Sequence, residues 1–296
     1  MTSYKTHSLC PWCGSDSCEP HLDTFDYFLT REPFSIVRCK QCGLLYTTPQ
    51  PDSESIGNYY KSDNYLSHND KKGGLIPFIY NRVKRVNIAY KYKTATTGIA
   101  GKRMLDFGCG VGDFISYAKE HGYTVEAADA SEAARKAASE KLNQQVHAPQ
   151  DIFNMPDNSF DIITLWHVLE HIDTLKEHVE MLNRLLAPNG RLVIALPNYR
   201  SFDAQYYGGQ WAAYDLPRHL CHFNRDTIAA IFANTDLKIT CIKPLKWDAY
   251  YISMMSEQYR KSSMSFIKGM LRGLKSNSKA KRSGEYSSMI YIFERK

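Results

Sequence analysis

From residue 102 onward, apolar stretches of strand length alternate with segments in which apolar residues recur every three or four positions. The short apolar runs predict strands, and the helical spacing predicts helices between them. The predicted strands are 103–107, 124–129, 160–165, 191–196, 237–245 and 287–293. The predicted helices are 112–121, 132–142, 175–186 and 225–234. This alternation favours an α/β fold, a mostly parallel sheet with helices on both faces.

Three segments do not follow the alternation. Residues 51–100 contain a loop rich in tyrosine and a predicted helix at 76–97, and we interpret them as a linker and helical lid. The segments 197–223 and 247–285 each follow a strand in the second half of the sheet. Because long insertions in compact domains are commonly functional, we expect both on the substrate side.

A glycine-rich turn follows the first predicted strand and opens a helix, as a nucleotide-type loop requires. Its glycines allow a tight turn and a close approach to a ligand; they are Gly108, Gly110 and Gly112. A dinucleotide fingerprint needs a further glycine at the position of Asp113. Asp106 and Asp113 flank the turn, so a cationic ligand suits it better than a pyrophosphate.

The pattern Asp106-x-Gly-x-Gly-x-Gly112 resembles motif I of the class I S-adenosylmethionine (SAM) methyltransferases. Asp129 closes the next predicted strand, where an acid can accept hydrogen bonds from both ribose hydroxyls. The segment 151–156 resembles the adenine-side segment of the family, and 158–161 leads into the next strand as in many members. The resemblance covers about 100–245 and the last strand.

The resemblance implies a Rossmann-like, mostly parallel seven-stranded sheet in a methyltransferase domain spanning 101–296, with SAM as the cofactor. It places Asp151 at the adenine amino group, with Ile152 packed beside the ring. The implied cofactor-binding residues are Asp106, Gly108, Gly110, Gly112, Asp129, Ala130, Asp151, Ile152 and Leu165.

Two polar clusters follow strands at the end of the sheet where open α/β folds bind ligands. In the first, His167, Glu170 and His171 have the spacing that shares one face of a helical turn. The second, in 216–223, carries His219 and His222. The Asn/Asp-Pro-Pro-aromatic element of DNA-type amino methyltransferases is missing here, which argues against that kind of base methylation.

The clusters resemble a Glu-x-x-Glu-His motif with a later histidine, found in ubiquinone-pathway O-methyltransferases and small-RNA 2′-O-methyltransferases, which use a divalent metal. His167 replaces the first glutamate. Three interpretations remain: the residues of both clusters hold a divalent metal, His167 or His219 is a general base, or the clusters are structural. In each catalytic case, the protein positions two reactants for an in-line displacement and removes the acceptor proton.

Two CxxC pairs, each followed by glycine, lie in residues 1–50; they are Cys10 and Cys13, and Cys39 and Cys42. Four cysteines in this pattern predict a structural zinc ribbon. The N-terminus lacks an apolar leader, so we expect a cytoplasmic protein with reduced thiols.

The charge of the ribbon bears on its role. Four Lys and Arg residues stand against five Asp and Glu residues in 1–50, which is not a phosphate-binding composition. The ribbon and the tyrosines after it resemble bacterial small-molecule methyltransferases, including sugar C-methyltransferases. We therefore favour a lid or scaffold over a nucleic-acid reader.

Net charge and apolar spacing single out one further segment. The chain carries +6, and 260–282 alone holds eight Lys and Arg and no acid, which leaves −2 elsewhere. Met264, Ile267 and Leu271 recur there at helical spacing, which predicts a basic amphipathic helix. The helix either packs with a solvated basic face or docks at 264–282 to an anionic partner, such as a lipid surface, a carrier protein or RNA.

Together these observations predict a SAM-dependent methyltransferase that methylates oxygen or carbon of a small-molecule acceptor. One alternative is an RNA methyltransferase that uses the ribbon for substrate binding. Another is a non-catalytic ribbon protein that retains SAM only as a ligand.

Overall fold

The structure is a computed structural model that describes residues 4–5, 9–52, 55–60 and 75–296. Its strands are β1 Tyr4–Lys5, β2 Cys18–Phe25, β3 Pro33–Cys39, β4 Leu45–Thr48, β5 Gln50–Pro51, β6 Arg103–Phe107, β7 Thr124–Ala128, β8 Phe160–Trp166, β9 Leu186–Pro197, β10 Cys221–His222, β11 Leu237–Pro244 and β12 Ser288–Arg295. Its α-helices are α1 Leu75–Thr96, α2 Asp113–Glu120, α3 Glu132–Leu142, α4 Pro149–Ile152, α5 Leu175–Leu185, α6 Phe202–Tyr207, α7 Arg225–Ile231, α8 Asp248–Tyr259 and α9 Ser265–Ser283. Short 3₁₀ turns occupy Ile56–Tyr60, Leu169–His171, Gly208–Gln210 and Ala212–Tyr214.

The central sheet has the strand order β11-β12-β9-β8-β6-β7. Strands β7, β6, β8 and β9 are parallel, and β12 runs antiparallel to both of its neighbours. The chain moves outward from β6 to β7 and then returns to the other side of β6 as β8. Ligands of open α/β sheets bind outside the carboxyl ends of the strands at such a switch point.

The expected mostly parallel sheet is confirmed, but it has six strands among the described residues rather than seven. Beyond β7, pairing is reduced to one parallel bridge between Ala128 and His147. Pro149 begins α4 two residues later. Because proline has no backbone donor and a fixed φ, it ends the pairing before a strand can form.

Helices cover both faces of the sheet, as predicted. On one face Ile115 of α2 and Leu142 of α3 join a buried cluster with Val125 and Ile162. On the other, Leu182 of α5 and Ile228 of α7 pack in the cluster that holds the opposite side chains of the strands. Ser131 caps α3 by accepting a hydrogen bond from the Ala134 amide, as the sequence indicates.

The N-terminal segment forms a second, antiparallel sheet whose order is β10-β4-β3-β2. Its fourth strand, β10, comes from the insertion after β9, so the two parts of the chain share one sheet. Thr47 strengthens the junction, because its amide donates to Leu220 O at 3.0 Å and its hydroxyl to His219 O at 2.7 Å. The insertion at 197–223, expected as a loop, contains α6, two 3₁₀ turns and β10.

The second insertion, 247–285, consists of the two helices α8 and α9. Its helical character agrees with the sequence expectation. None of the helices in the described part of the chain combines the length and apolar composition that crossing a bilayer would need.

Candidate cofactor and acceptor site

The glycine turn links the carboxyl ends of β6 and β7. The amides of Gly108 and Cys109 both donate to Ala128 O, at 2.7 and 3.0 Å. The amide of Gly110 donates to Asp129 Oδ2 at 2.8 Å. Gly108 has a φ of +77°, and a Cβ there would lie 2.3 Å from a methyl carbon of Val168. Only glycine therefore allows this turn to pack against the segment that follows β8.

Two of the predicted acids lie at this edge of the sheet, in different surroundings. Asp129 is partly exposed, and its other oxygen accepts from the Ser131 amide at 2.9 Å. Asp106 is buried, and Thr164 Oγ1 donates to it at 2.6 Å. Burial raises the pKa of Asp106 to about 7, and the Asp129 charge adds to this rise against the opposing Thr164 bond. The two carboxyls are therefore close enough to interact.

A partly buried lysine also approaches this edge. Lys91 of α1 lies 4.7 Å from the centre of the Trp166 ring. Burial lowers the pKa of Lys91, while the charges of Asp248 and Asp106 oppose that effect. Lys91 thus interacts electrostatically with both Asp106 and Asp248 of α8.

The remaining predicted cofactor residues line the same end of the sheet in different ways. Ala130 is exposed beside Asp129. Asp151 is exposed and accepts from the Ala148 amide at 3.0 Å, which fixes the start of α4. Ile152 and Leu165 are fully buried in the hydrophobic cluster on the α5 face of the sheet. Their side chains belong to the core, whereas Asp151 is reachable from solvent.

The segment after β8 does not form the single helical turn that its spacing predicts. His167 has a φ of +60°, and only Leu169–His171 form a 3₁₀ turn. The prediction is wrong because the backbone turns left-handed at His167, which takes this residue out of any helix. His167 still meets Glu170, with 3.4 Å between Nδ1 and Oε1.

His167 lies between two carboxylates. Its Nε2 donates to Oδ2 of Asp248 at 2.9 Å, and Glu170 lies on its other side. Burial favours the neutral ring, but the two carboxylates outweigh burial and raise the pKa of His167 to about 9. The carboxylates on both sides thus favour the protonated ring, which argues against His167 as the general base. Asp248, from α8, was not identified by the sequence analysis.

Glu170, His171 and His219 form a compact cluster in which one ligand atom from each lies within 4.8 Å of the others. Glu170 is 1% exposed, and within the described residues neither carboxylate oxygen has a hydrogen-bond partner, so that His167 at 3.4 Å is an ion-pair contact alone. His171 Nδ1 lies 2.9 Å from Arg218 O, and His219 Nδ1 lies 2.9 Å from Ala213 O. A ring that donates from Nδ1 leaves Nε2 as an acceptor or a metal ligand.

The charge states of this cluster suit a bound cation. Burial and the neighbouring His171 lower the pKa of His219 to about 4, against the opposing charges of Asp215 and Glu170. The pKa of Glu170 is also lowered, because His167 and the other two rings outweigh its burial. A carboxylate with open oxygens beside a neutral histidine is a donor set that divalent ions accept.

His222 is outside this cluster. Its Nε2 lies 3.1 Å from Thr47 Oγ1 in β4, and burial holds its pKa well below the usual range. It therefore joins the site loop to the N-terminal sheet. A narrow cavity beside it is lined by residues of the site loop and the segment after β8, among them Glu170, Tyr199, Trp211, His219, His222 and Phe223.

A buried ion-pair network around Arg218 fixes the loop that carries His219 and His222. Arg218 is 1% exposed and donates to Asp26 Oδ1 at 3.1 Å and to Asp215 Oδ1 at 2.8 Å. It also donates to the backbone oxygen of Tyr59. Asp26 is itself fixed by backbone amides of the following turn. The network thus joins the N-terminal module to the residue before His219.

The four cysteines of the two CxxC pairs come together as predicted. Cys10 and Cys42 have their sulfurs 3.6 Å apart, Cys13 and Cys39 3.5 Å apart, and all four lie within 4.8 Å. The glycines after each pair have positive φ, +71° and +76°. Zinc bound at about 2.3 Å to four thiolates requires sulfurs about 3.8 Å apart, so the cluster fits that ion.

Comparison with known proteins identifies related sequences. A family model described as methyltransferase domain matches residues 81–242. The ubiquinone biosynthesis O-methyltransferase of Xanthomonas oryzae pv. oryzae (strain PXO99A) is 27% identical over 173 residues, 54% of this chain and 72% of that protein. That of Coxiella burnetii (strain Dugway 5J108-111) is 30% identical over 140 residues, 44% of this chain and 59% of that protein.

Solved structures share the fold at low identity. Magnesium protoporphyrin IX methyltransferase from Synechocystis PCC 6803, with bound SAH, aligns with a TM-score of 0.53 at 16% identity, covering 83% of this chain and 100% of that one. Geranyl diphosphate C-methyltransferase from Streptomyces coelicolor A3(2) aligns with a TM-score of 0.51 at 17% identity, and the alignment covers 73% of this chain and 77% of that one. The matched family region contains both polar clusters but neither the cysteine cluster nor α9.

Proposed function

The chain belongs to the family of methyltransferase domains and is a SAM-dependent methyltransferase, and we propose that it methylates a hydroxyl or an acidic carbon of a small molecule. The observation that carries the proposal is the position of the Glu170, His171 and His219 cluster. It follows the carboxyl end of β8, beside the strand that leads into the glycine turn. A cofactor at the turn and an acceptor at the cluster can therefore meet at one edge of the sheet.

We propose that the glycine turn and Asp129 hold the nucleoside part of SAM. Each Asp129 oxygen already accepts one backbone hydrogen bond and retains capacity for another, which suits two ribose hydroxyls. Asp151, reachable from solvent, is assigned to the adenine, whereas Ile152 and Leu165 belong to the core. When bound, SAM supplies a methyl group that is already activated by its sulfonium.

We further propose that Glu170, His171 and His219 hold a divalent cation at the acceptor. Such a cation would lower the pKa of an acceptor hydroxyl and orient it. Buried Glu170 supports this assignment, because its contact with His167 reaches only Oε1, at 3.4 Å, and a buried carboxylate with so few donors is costly. Protonated His167 fixes Glu170 from one side, and His222 positions the loop rather than touching the acceptor.

The four-cysteine cluster is proposed to hold a structural zinc ion through Cys10, Cys13, Cys39 and Cys42. Its role is that of a scaffold, since the module completes its sheet with β10 and anchors Arg218. We propose a cytoplasmic location for the protein, where zinc–thiolate sites persist.

The proposal is tested by incubating the protein with methyl-labelled SAM and the small-molecule and RNA fractions of a bacterial lysate. We expect label in the small-molecule fraction, dependent on a divalent cation and lost in Glu170→Gln. Glu180→Gln, an exposed acid on α5, is the matched control and should retain activity. Label in RNA would contradict a small-molecule acceptor. Activity that survives chelation and Glu170→Gln would contradict the cation site.

A further inference from the structure

Helix α9 turns an unusual face toward the protein. The residues that it buries are small or polar: Gly269, Gly273, Ser276, Asn277 and Ala280. A Cβ on Gly269 would lie 2.5 Å from Met254 Cα, and one on Gly273 would lie 2.7 Å from Tyr250 Cα. The two glycines therefore let α9 approach the backbone of α8, which fixes the rotation of α9 about its axis.

The opposite face of α9 and the residue before it expose large apolar side chains. Their exposed fractions range from 38% to 64%. The residues are Met264, Phe266, Ile267, Met270, Leu271 and Leu274. An amphipathic helix of a globular protein normally turns such a stripe toward the core. Here the stripe is contiguous and exposed, which is typical of an interaction surface.

The charges beside the stripe all have one sign. Residues 260–282 contain eight Lys and Arg and no acid, and Lys268 and Lys275 are exposed. Among the ion pairs of the described residues, none involves any of these eight cations. Several, including Arg272 and Lys279, lie over aromatic rings of α6 instead. The positive charge of this face is thus left for a partner.

We propose that the exposed face of α9 binds an anionic lipid surface, with its apolar stripe inserted at the headgroup boundary and its lysines on the phosphates. An apolar face bordered by cations is the composition of an interfacial helix. A second copy of the chain fits poorly, because two such faces would bring like charges against each other. This surface lies outside the cofactor and acceptor site, so the proposal does not depend on the proposed acceptor.

The test is sedimentation of the full chain with vesicles of phosphatidylcholine alone or mixed with phosphatidylglycerol, at about 0.1 M salt. We expect binding only to the anionic vesicles. Leu271→Glu should abolish it, and Lys268→Gln and Lys275→Gln should each weaken it about fivefold. The matched controls are Val86→Glu, an exposed apolar position on α1, and Lys238→Gln on β11, and both should bind as the unaltered protein does.

Three results would overturn the proposal. The first is no binding to anionic vesicles, and the second is equal loss in Val86→Glu and Leu271→Glu. The third is a concentration-dependent dimer that Leu271→Glu dissociates, which would assign the stripe to a second copy. Because Leu271 is exposed, its variant should unfold at the same temperature as the unaltered protein, which shows that a binding loss is local.

Discussion

Replacing Asp248 with asparagine removes the nearer of the two carboxylates that face His167. The pKa of His167 is raised from 6.5 to about 9 in the folded protein. At about 1.4 kcal/mol per unit, this difference corresponds to about 3 kcal/mol of preference for the protonated ring. The side chain of His167 is 31% exposed, so solvent screening reduces its contribution to the free energy of unfolding. We expect that contribution to be at most about 2 kcal/mol.

The sign of the pH dependence follows from the raised pKa. The stabilisation from protonated His167 is complete below the unfolded value of 6.5 and is lost as the pH rises through about 9. We therefore expect the free energy of unfolding of the unaltered protein to decrease across this window. Asp248→Asn should lower the pKa of His167 by at least about one unit and flatten the decrease.

The assay combines two measurements on each protein. An NMR titration follows the imidazole Cε1 proton of His167, and denaturant unfolding at several pH values gives the stability profile. Asp236→Asn is the matched control, because Asp236 is an exposed acid that pairs with Arg295 at the surface. A His167 that titrates near 6.5 in the unaltered protein, or one unaffected by Asp248→Asn, would refute the reasoning.

Three further outcomes are expected. Arg218→Met should lower the free energy of unfolding by about 3–5 kcal/mol in denaturant titrations, because it leaves buried Asp26 uncompensated. Arg200→Met, at an exposed pair with Asp226, should cost less than about 1 kcal/mol, and equal losses would contradict the network. Gly108→Ala should abolish SAM binding in calorimetry, whereas Gly110→Ala, with open space at its Cβ, should retain a weakened affinity; the reverse order would contradict the geometry of the turn. Metal analysis should find one zinc per chain, absent in Cys42→Ser, and chelation should lower the unfolding temperature; a zinc-free protein of unchanged stability would contradict the ribbon.

The alternation of strands and helices was predictable because each element carries its own period. Helix α3 begins and ends where its apolar spacing and the cap Ser131 place it. The prediction of a seventh strand was wrong. It came from the family resemblance, which takes no account of Pro149, and this proline stops pairing after a single bridge. Local sequence sets the elements, but the extent of pairing depends on the neighbours of each strand.

The sequence predicts most of the residues that meet at the candidate site, but not how they are arranged there. The spacing of His167 and Glu170 indicates contact, which exists, but by a left-handed turn rather than a helix. Asp248 lies 81 residues from its partner His167, and no local pattern connects them. Such partners become visible only when the fold brings α8 against the end of β8.

The face that the basic helix α9 buries was likewise not predictable from apolar spacing. Apolar spacing identifies α9 as amphipathic but does not determine which face is buried. The deciding signal is the small-residue series that contains Gly269, Gly273 and Ala280, because only small residues permit the contact with α8. Where a helix has one small-residue face and one apolar face, close packing can favour burial of the small one.

The most direct test of the account is the affinity of the protein for S-adenosylhomocysteine, measured by calorimetry with and without the Asp129 carboxylate. The unaltered protein should bind, and Asp129→Ala should weaken binding at least tenfold, because a hydrogen bond to a charged group contributes about 1.5–3 kcal/mol. Asp157→Ala, at an exposed acid, should bind normally. Absence of binding, or an affinity that Asp129→Ala leaves unchanged, would contradict the assignment of the glycine turn as the cofactor site.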